Sequence, residues 1–248
     1  MTATLFDPIQ LGAISAKNRV IMSPLTRGRS TTGHVPMSDL KAEYYSQRAS
    51  AGLIIAEATG ISQEGLGWPS APGVWNDTQV AAWQPVTEAV HEAGGQIILQ
   101  LWHMGRLVHP DFLGGAQPVS ASATTAPGDA HTAEGKKPYT EARALETSEI
   151  PRIIEDYVNA AKNAIAAGFD GIQIHAANGY LIDQFLRDNA NFRTDQYGGS
   201  IENRIRLLRE VTQAVVNAIG ADRTSVRLSP NGETQGVDDS NPIPLFTA

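Results

Sequence analysis

The chain has no cysteine among its 248 residues. Disulfides, iron–sulfur clusters and thiolate catalysis are therefore excluded. It has no GxGxxG opening a helix and no Walker loop, which argues against the common open-sheet nucleotide folds. Positive charge is scarce too: 19 basic residues stand against 26 acidic ones, for a net charge of −7 and no basic run. Nucleic acid and anionic membranes are poor partners for such a surface. No apolar run is long enough to span a bilayer, and the start, MTATLFDPIQLG, lacks the form of a secretion signal or transit peptide. A soluble, cytoplasmic protein is expected. Hydrophobic residues at 42 % allow a sizeable core.

What is present is a repeated pattern of helix, glycine, short apolar strand and polar loop. A hairpin over residues 5–20 precedes it, with Asp7-Pro8 and Gly12 as turn signals, placed to plug the bottom of a barrel. Val20-Ile21-Met22 runs into Ser23-Pro24-Leu25-Thr26-Arg27. A helix over 38–51, with Leu40, Tyr44 and Ala51 on one face, ends at Gly52 and leads to Leu53-Ile54-Ile55-Ala56. A helix from Asp77 carries Val80, Trp83, Val86 and Val90, with Pro85 expected to kink or restart it. Gln96-Ile97-Ile98-Leu99 then runs into Gln100-Leu101-Trp102-His103. A helix from Ser148 ends at Gly168, the strand Ile172–Ile174 follows, and a helix from Ser200 to Gly220 leads to Ser225-Val226-Arg227-Leu228.

Alternating strands and helices predict a parallel sheet. Each strand delivers polar or aromatic residues near its carboxyl end: Thr26, Thr59, Gln100 with Trp102, His175 with Asn178, and Arg227. Many strands feeding one rim is the arrangement of a (β/α)8 TIM barrel. Five such strands are legible, so the expectation is one domain over 1–248 that holds the hairpin and about five of eight strands. Residues 103–147, rich in Ala, Gly, Ser, Thr and Pro, read as an inserted, lid-like loop or as a tolerated surface excursion. Five strands would leave two apolar edges. Either a complementary polypeptide is expected to supply the missing strands, or the chain is a truncated product.

The most informative run is GFDGIQIHAANGYLIDQFL at 168–186. His175, Asn178 and Tyr180 follow an apolar strand at once, offering two hydrogen-bonding groups and a phenol. That set can hold a carbonyl oxygen and hand over a proton; equally, a His and an Asn can cap a turn while a Tyr packs. The remaining histidines are scattered without metal-ligand spacing, so no metal is expected. Asp195 and Glu202 with Arg204 and Arg206 read as a charged helix start and a solvated face.

SPLTRGR at 23–29, ASAGLIIAEATGISQEGLGW at 49–68, QLWHMGR at 100–106, GFDGIQIHAANGYLIDQFLRD at 168–188, DQYGGSIENRIRLL at 195–208 and VRLSPNG at 226–232 closely resemble the Old Yellow Enzyme family. The likeness spans nearly the whole chain and is closest to the bacterial branch that reduces enones and nitro compounds. A thermophile-like branch has Cys where Thr26 stands here. The resemblance implies FMN over the strand ends and NADPH or NADH as reductant. It implies that Pro24, Leu25 and Ala58 pack against the flavin and that Thr26 donates toward its C4 carbonyl region. Gln100 would read the pyrimidine edge, and Arg227 would face the charge that develops on reduction. His175 and Asn178 would hold the substrate oxygen and Tyr180 would protonate the α-carbon. Trp68 and Trp102 would line the pocket, with Gln235 near the rim.

In barrels of this type the phosphate sits on amides after strands seven and eight. The complementary chain is thus also expected to complete the FMN phosphate site, and this chain alone to bind FMN weakly or not at all. The alternative is a catalytically inactive assembly partner. A flavin-independent hydrolase or lyase using His175 would need a carboxylate to orient that ring, and the motif offers none.

Overall fold

The computed structural model describes residues 3–231 and 233–248. Gly232, the last residue of VRLSPNG, lies outside them. The strands are β1 (Ile9–Leu11), β2 (Ile14–Ala16), β3 (Ile21–Met22), β4 (Leu53–Gly60), β5 (Ile97–Trp102), β6 (Val119–Ser120), β7 (Asp129–Thr132), β8 (Gly135–Pro138), β9 (Arg143–Ala144), β10 (Gly171–His175) and β11 (Thr224–Arg227). The helices are α1 (Ser38–Ser46), α2 (Asp77–Glu92), α3 (Ile150–Ala166), α4 (Leu181–Leu186), α5 (Ile201–Arg204), α6 (Arg206–Ile219) and α7 (Pro242–Thr247).

Five strands pair in the order β11-β10-β5-β4-β3, all parallel. This is the expected part of a (β/α)8 barrel. Ile54, Ala56, Ile97, Leu99, Leu101, Ile172 and Ile174 face the helices, where Trp83, Ile153, Tyr157, Leu207 and Val211 cover them. Leu53, Ile55 and Ile98 point to the opposite face, and there they meet Leu11 and Ile14 of the antiparallel β1–β2 hairpin. That apolar patch is the floor the hairpin was expected to form. Its turn residue, Gly12, has φ +59° and a backbone approach from Asp222 that a Cβ would obstruct at 2.1 Å.

Helix α3 buries Ile150, Ile153, Tyr157, Ala161 and Ala164 along one stripe, at the spacing of a helix packed on a sheet. It ends where Gly168 takes φ +90°, beside the Thr87 hydroxyl that donates to Ala167 at 2.6 Å. Four expectations need correction. α1 stops at Ser46, and its buried side chains are Lys41 and Tyr45 while Leu40 is 47 % exposed. α2 runs unbroken through Pro85, which lies on its exposed side, where the carbonyl left without a donor can turn to water. The last long helix is two, α5 and α6, separated at Ile205. Arg204 is not on a solvated face: it is 6 % exposed and pairs with Asp239.

The segment 103–147 is structured, with β6 paired to β9 and a β7–β8 hairpin. At the sheet's margins the apolar side chains Ile21 (45 % exposed), Leu25, Val226 and Leu228 face outward. Among the described residues, no helix is long and apolar enough to cross a membrane.

Trp83 anchors α2: it is fully buried, meets Phe169 edge-on at 5.3 Å and donates its indole N–H to Gly73 at 3.2 Å. Trp83→Ala is expected to cost about 3–5 kcal/mol. The measurement is the urea midpoint, and a loss below about 1 kcal/mol would show that α2 is held by other contacts.

Candidate active site

Side chains alternate along a strand, so residues two apart share a face. In the observed register Ala58 pairs with Gln100, and Gln100 with Gln173. Two residues further along, Gly60 pairs with Trp102 and His175 with Arg227. These positions continue the face begun below by Ile55 and Ile98. Gln100, His175 and Arg227, drawn from three strands, are therefore on one surface. Trp102 and Gln100 are parts of β5 itself, Thr59 lies within β4 and His175 ends β10, so the strands run further than the apolar pattern indicates.

His175 is 4 % exposed, and its Nδ1 has no hydrogen-bond partner. Burial, with a smaller contribution from the Arg227 charge, pulls its pKa down to about 3. The ring is thus neutral at physiological pH. Among the described residues no carboxylate hydrogen-bonds to it, as the flavin-independent alternative would require. Tyr180 stands edge-on to both His175, at 4.8 Å, and Trp102, at 5.0 Å. Burial raises the Tyr180 phenol to about 12, which keeps it protonated. The Trp102 Nε1 is also buried without a partner. These unsatisfied groups lie together, as they do where a site awaits a polar ligand.

The turn carrying Asn178 is braced from below. Asn178 has φ +57°, and its amide donates to the Ser229 hydroxyl at 2.9 Å. The next amide, of Gly179, donates to Asp183 at 2.9 Å. Asp183 is itself buried against Arg187 at 2.8 Å. Pro24 and Thr26 are half-buried in the loop after β3, and Leu25 is 57 % exposed. Trp68 is half-buried and its ring meets His131 of the β7–β8 hairpin at 5.0 Å. Gln235 approaches Gly179 with its Cβ.

Three contributors escape the sequence reading. Gln173 accepts from the Gln100 amide at 2.8 Å, fixing that carboxamide in the interior. Its position two residues before His175 was the available signal. Arg106, 3 % exposed, donates to Thr124 at 3.0 Å and to the Gln235 carbonyl at 3.1 Å, tying the inserted segment to the loop after β11. Lys41 and Glu57 form a buried ion pair beneath the loop after β3. No local pattern pairs residues from a helix and a strand in this way.

A flat heteroaromatic ring with an amide-like edge fits this surface. Gln100 offers a carboxamide, Arg227 a cation and Ala58 a small side chain, all on the face that holds the unpartnered Nδ1 of His175.

The buried histidines give a stability signature. His103 is likewise pulled down to about 3, mainly by burial. An unfolded chain takes up these protons near pH 6.5, whereas the folded chain refuses them until about pH 3. Their stabilisation is complete above pH 6.5 and declines as pH falls, by about 1.4 kcal/mol per pH unit for each ring. Urea titrations between pH 6.5 and 5 should show His175→Asn with a slope shallower by one proton. An unchanged slope would mean that His175 protonates in the folded state.

Residues 4–243 match the NADH:flavin oxidoreductase / NADH oxidase family. The chanoclavine-I aldehyde reductase of Penicillium roqueforti is 49 % identical over 247 residues, covering 98 % of this chain and 64 % of the relative. The solved Old Yellow Enzyme homologue from Zymomonas mobilis superposes with TM-score 0.96 at 64 % identity, over 98 % of this chain and 68 % of that one. Morphinone reductase in complex with tetrahydroNAD superposes with TM-score 0.94 at 49 % identity, over 98 % and 69 %. The chain thus spans less than two thirds of the length of the Penicillium roqueforti reductase. With a match along nearly its whole length and a site face assembled from three strands, the chain belongs to the NADH:flavin oxidoreductase / NADH oxidase family, that of the Old Yellow Enzymes.

Proposed function

We propose that this chain forms the catalytic rim of an FMN-dependent reductase of activated C=C bonds, in α,β-unsaturated carbonyl or nitro compounds. The observation that carries the reading is the neutral, unpartnered His175 imidazole beside the protonated Tyr180 phenol, on the face shared with Gln100 and Arg227. The family relation supports it, and chanoclavine-I aldehyde, morphinone and 12-oxophytodienoate, after which relatives are named, are all carbonyl compounds by name.

His175 and Asn178 hold the substrate oxygen by hydrogen bonds and so draw electron density out of the conjugated double bond. Gln100 and Thr26 would bind polar atoms of the flavin, Pro24, Leu25 and Ala58 would pack on it, and Arg227 would face the negative charge it develops. FMN, when bound, would supply hydride chemistry, with NADPH or NADH as the reductant. Tyr180 holds the proton destined for the α-carbon. Trp68 and Trp102 shape the apolar walls, and the segment 103–147 roofs the pocket, pinned by Arg106. A complementary polypeptide supplies the remaining strands and the phosphate site.

A second reading, an assembly partner without catalysis, draws on the apolar side chains exposed along β3 and β11. Purified chain, alone and with the complementary polypeptide, separates the two when titrated with FMN and then with NADPH under anaerobic conditions. A bound visible flavin spectrum that bleaches supports the reductase; FMN left free in both samples sinks it. In the assembled enzyme Tyr180→Phe should slow enone reduction about 10²–10⁴-fold. Flavin reduction by NADPH should keep its rate. Equal rates of enone reduction would remove Tyr180 as the proton donor.

A further inference from the structure

Outside the rim, Glu57 is wholly inaccessible and Lys41 is 1 % exposed. A buried ion pair is hard to justify as stabilisation, because desolvating both groups offsets much of their attraction. Its geometry suggests a different use. The β4–β5 register steps from Ala56–Leu99 to Ala58–Gln100, so Glu57 is the extra residue of a β-bulge. A bulge leaves one residue outside the ladder and re-aims its neighbours.

Every polar atom freed at this bulge is taken up locally. The Glu57 amide donates to the Tyr45 hydroxyl at 3.0 Å, and that hydroxyl donates back to Glu57 Oε1 at 3.2 Å. Lys41 Nζ donates to the same oxygen. The Glu57 carbonyl accepts from Thr59 Oγ1 at 2.9 Å. One interaction reaches beyond α1 and β4: Oε2 accepts the backbone amide of Arg27 at 3.0 Å. Arg27 follows Thr26, and Ala58 follows Glu57. One carboxylate therefore lies at the joint between the two segments that bear Thr26 and Ala58. From outside, the Arg27 guanidinium rests on the Tyr44 ring at 4.4 Å, so that residue is held at its backbone by Glu57 and at its side chain by α1.

We infer that Glu57 is a positioning residue: held rigid by Lys41 and Tyr45, its carboxylate clamps loop 23–28 to the end of β4 and so sets the places of Thr26 and Ala58 at the flavin. The clamp is a property of the chain without cofactor; its consequence for flavin rests on the function proposed above.

Hydrogen exchange of the cofactor-free full chain, read by mass spectrometry, tests the clamp. Lys41→Met with Glu57→Leu removes both charges together, so no lone charge is left buried. It should leave the exchange of β5 and β10 unchanged and speed that of 23–28 by about tenfold or more, as loss of a hydrogen bond to a charged acceptor implies. Lys41→Met with Glu57→Gln keeps an oxygen acceptor for Arg27 and should restore slow exchange. Unchanged protection of 23–28 in the Leu variant, with native circular dichroism, overturns the clamp. If that variant does not fold, Tyr45→Phe takes its place, with faster exchange at 23–28 expected and equal exchange overturning the proposal. FMN titration of the wild-type and variant chains, with the complementary polypeptide present, completes the test. Weaker FMN binding in the fast-exchanging variant alone supports positioning at the flavin. Equal affinity in both overturns it. Wild-type chain that binds no FMN refutes the flavin reading, while the exchange result still decides the clamp.

Discussion

Side chains on a strand alternate with a period of two, so slipping one strand by a single residue would turn its whole inner set outward. The parallel register here aligns Ala58, Gln100 and Gln173 in one row and His175 with Arg227 above it. Apolar residues occupy the row below, where the β1–β2 hairpin closes the floor. One strand thus passes from packing to chemistry along its length: Ile98 is floor, Gln100 is carboxamide and Trp102 is wall. The helices fix this register from behind, because Ile97, Leu99 and Leu101 must reach the core at the same time. Chemistry on the inner face depends on packing on the outer one.

Burial then sets the character of each group. His175 and His103 are held neutral because a low-dielectric setting penalises the charged ring. The Tyr180 phenol is held protonated for the same reason. Where a buried polar group would otherwise go unsatisfied, a partner stands within reach: Gln173 for Gln100, Asp183 and Ser229 for the turn at 178–179, Thr124 and Gln235 for Arg106. His175 Nδ1 and Trp102 Nε1 lack such a partner among the described residues, and their rings flank Tyr180.

Much of this was legible before any coordinates. The helix–glycine–strand repeat announced the parallel sheet because each element type carries its own hydrophobic period. The hairpin and the five strands fall where their apolar runs and turn residues put them. Elements were misjudged where a tertiary partner overrides local pattern. Lys41 was not counted among the buried residues of α1 because its counter-charge comes from β4, sixteen residues on. Pro85 leaves α2 unbroken because it lies on the helix's exposed side, which is a fact of packing. Arg204 looked solvated until Asp239 reached it from thirty-five residues away.

By itself the sequence determined the kinds of groups available and their order along the chain: a histidine, an asparagine and a tyrosine after one strand, a glutamine on another, an arginine on a third. Period and turn chemistry are local, and local information survives in a linear string. Only the tertiary structure decided that these groups share a face, that Gln173 steers Gln100, and that Glu57 reaches the amide of Arg27. The last two relate residues seventy-three and thirty positions apart. They are set by register and burial, which exist only once the strands have met.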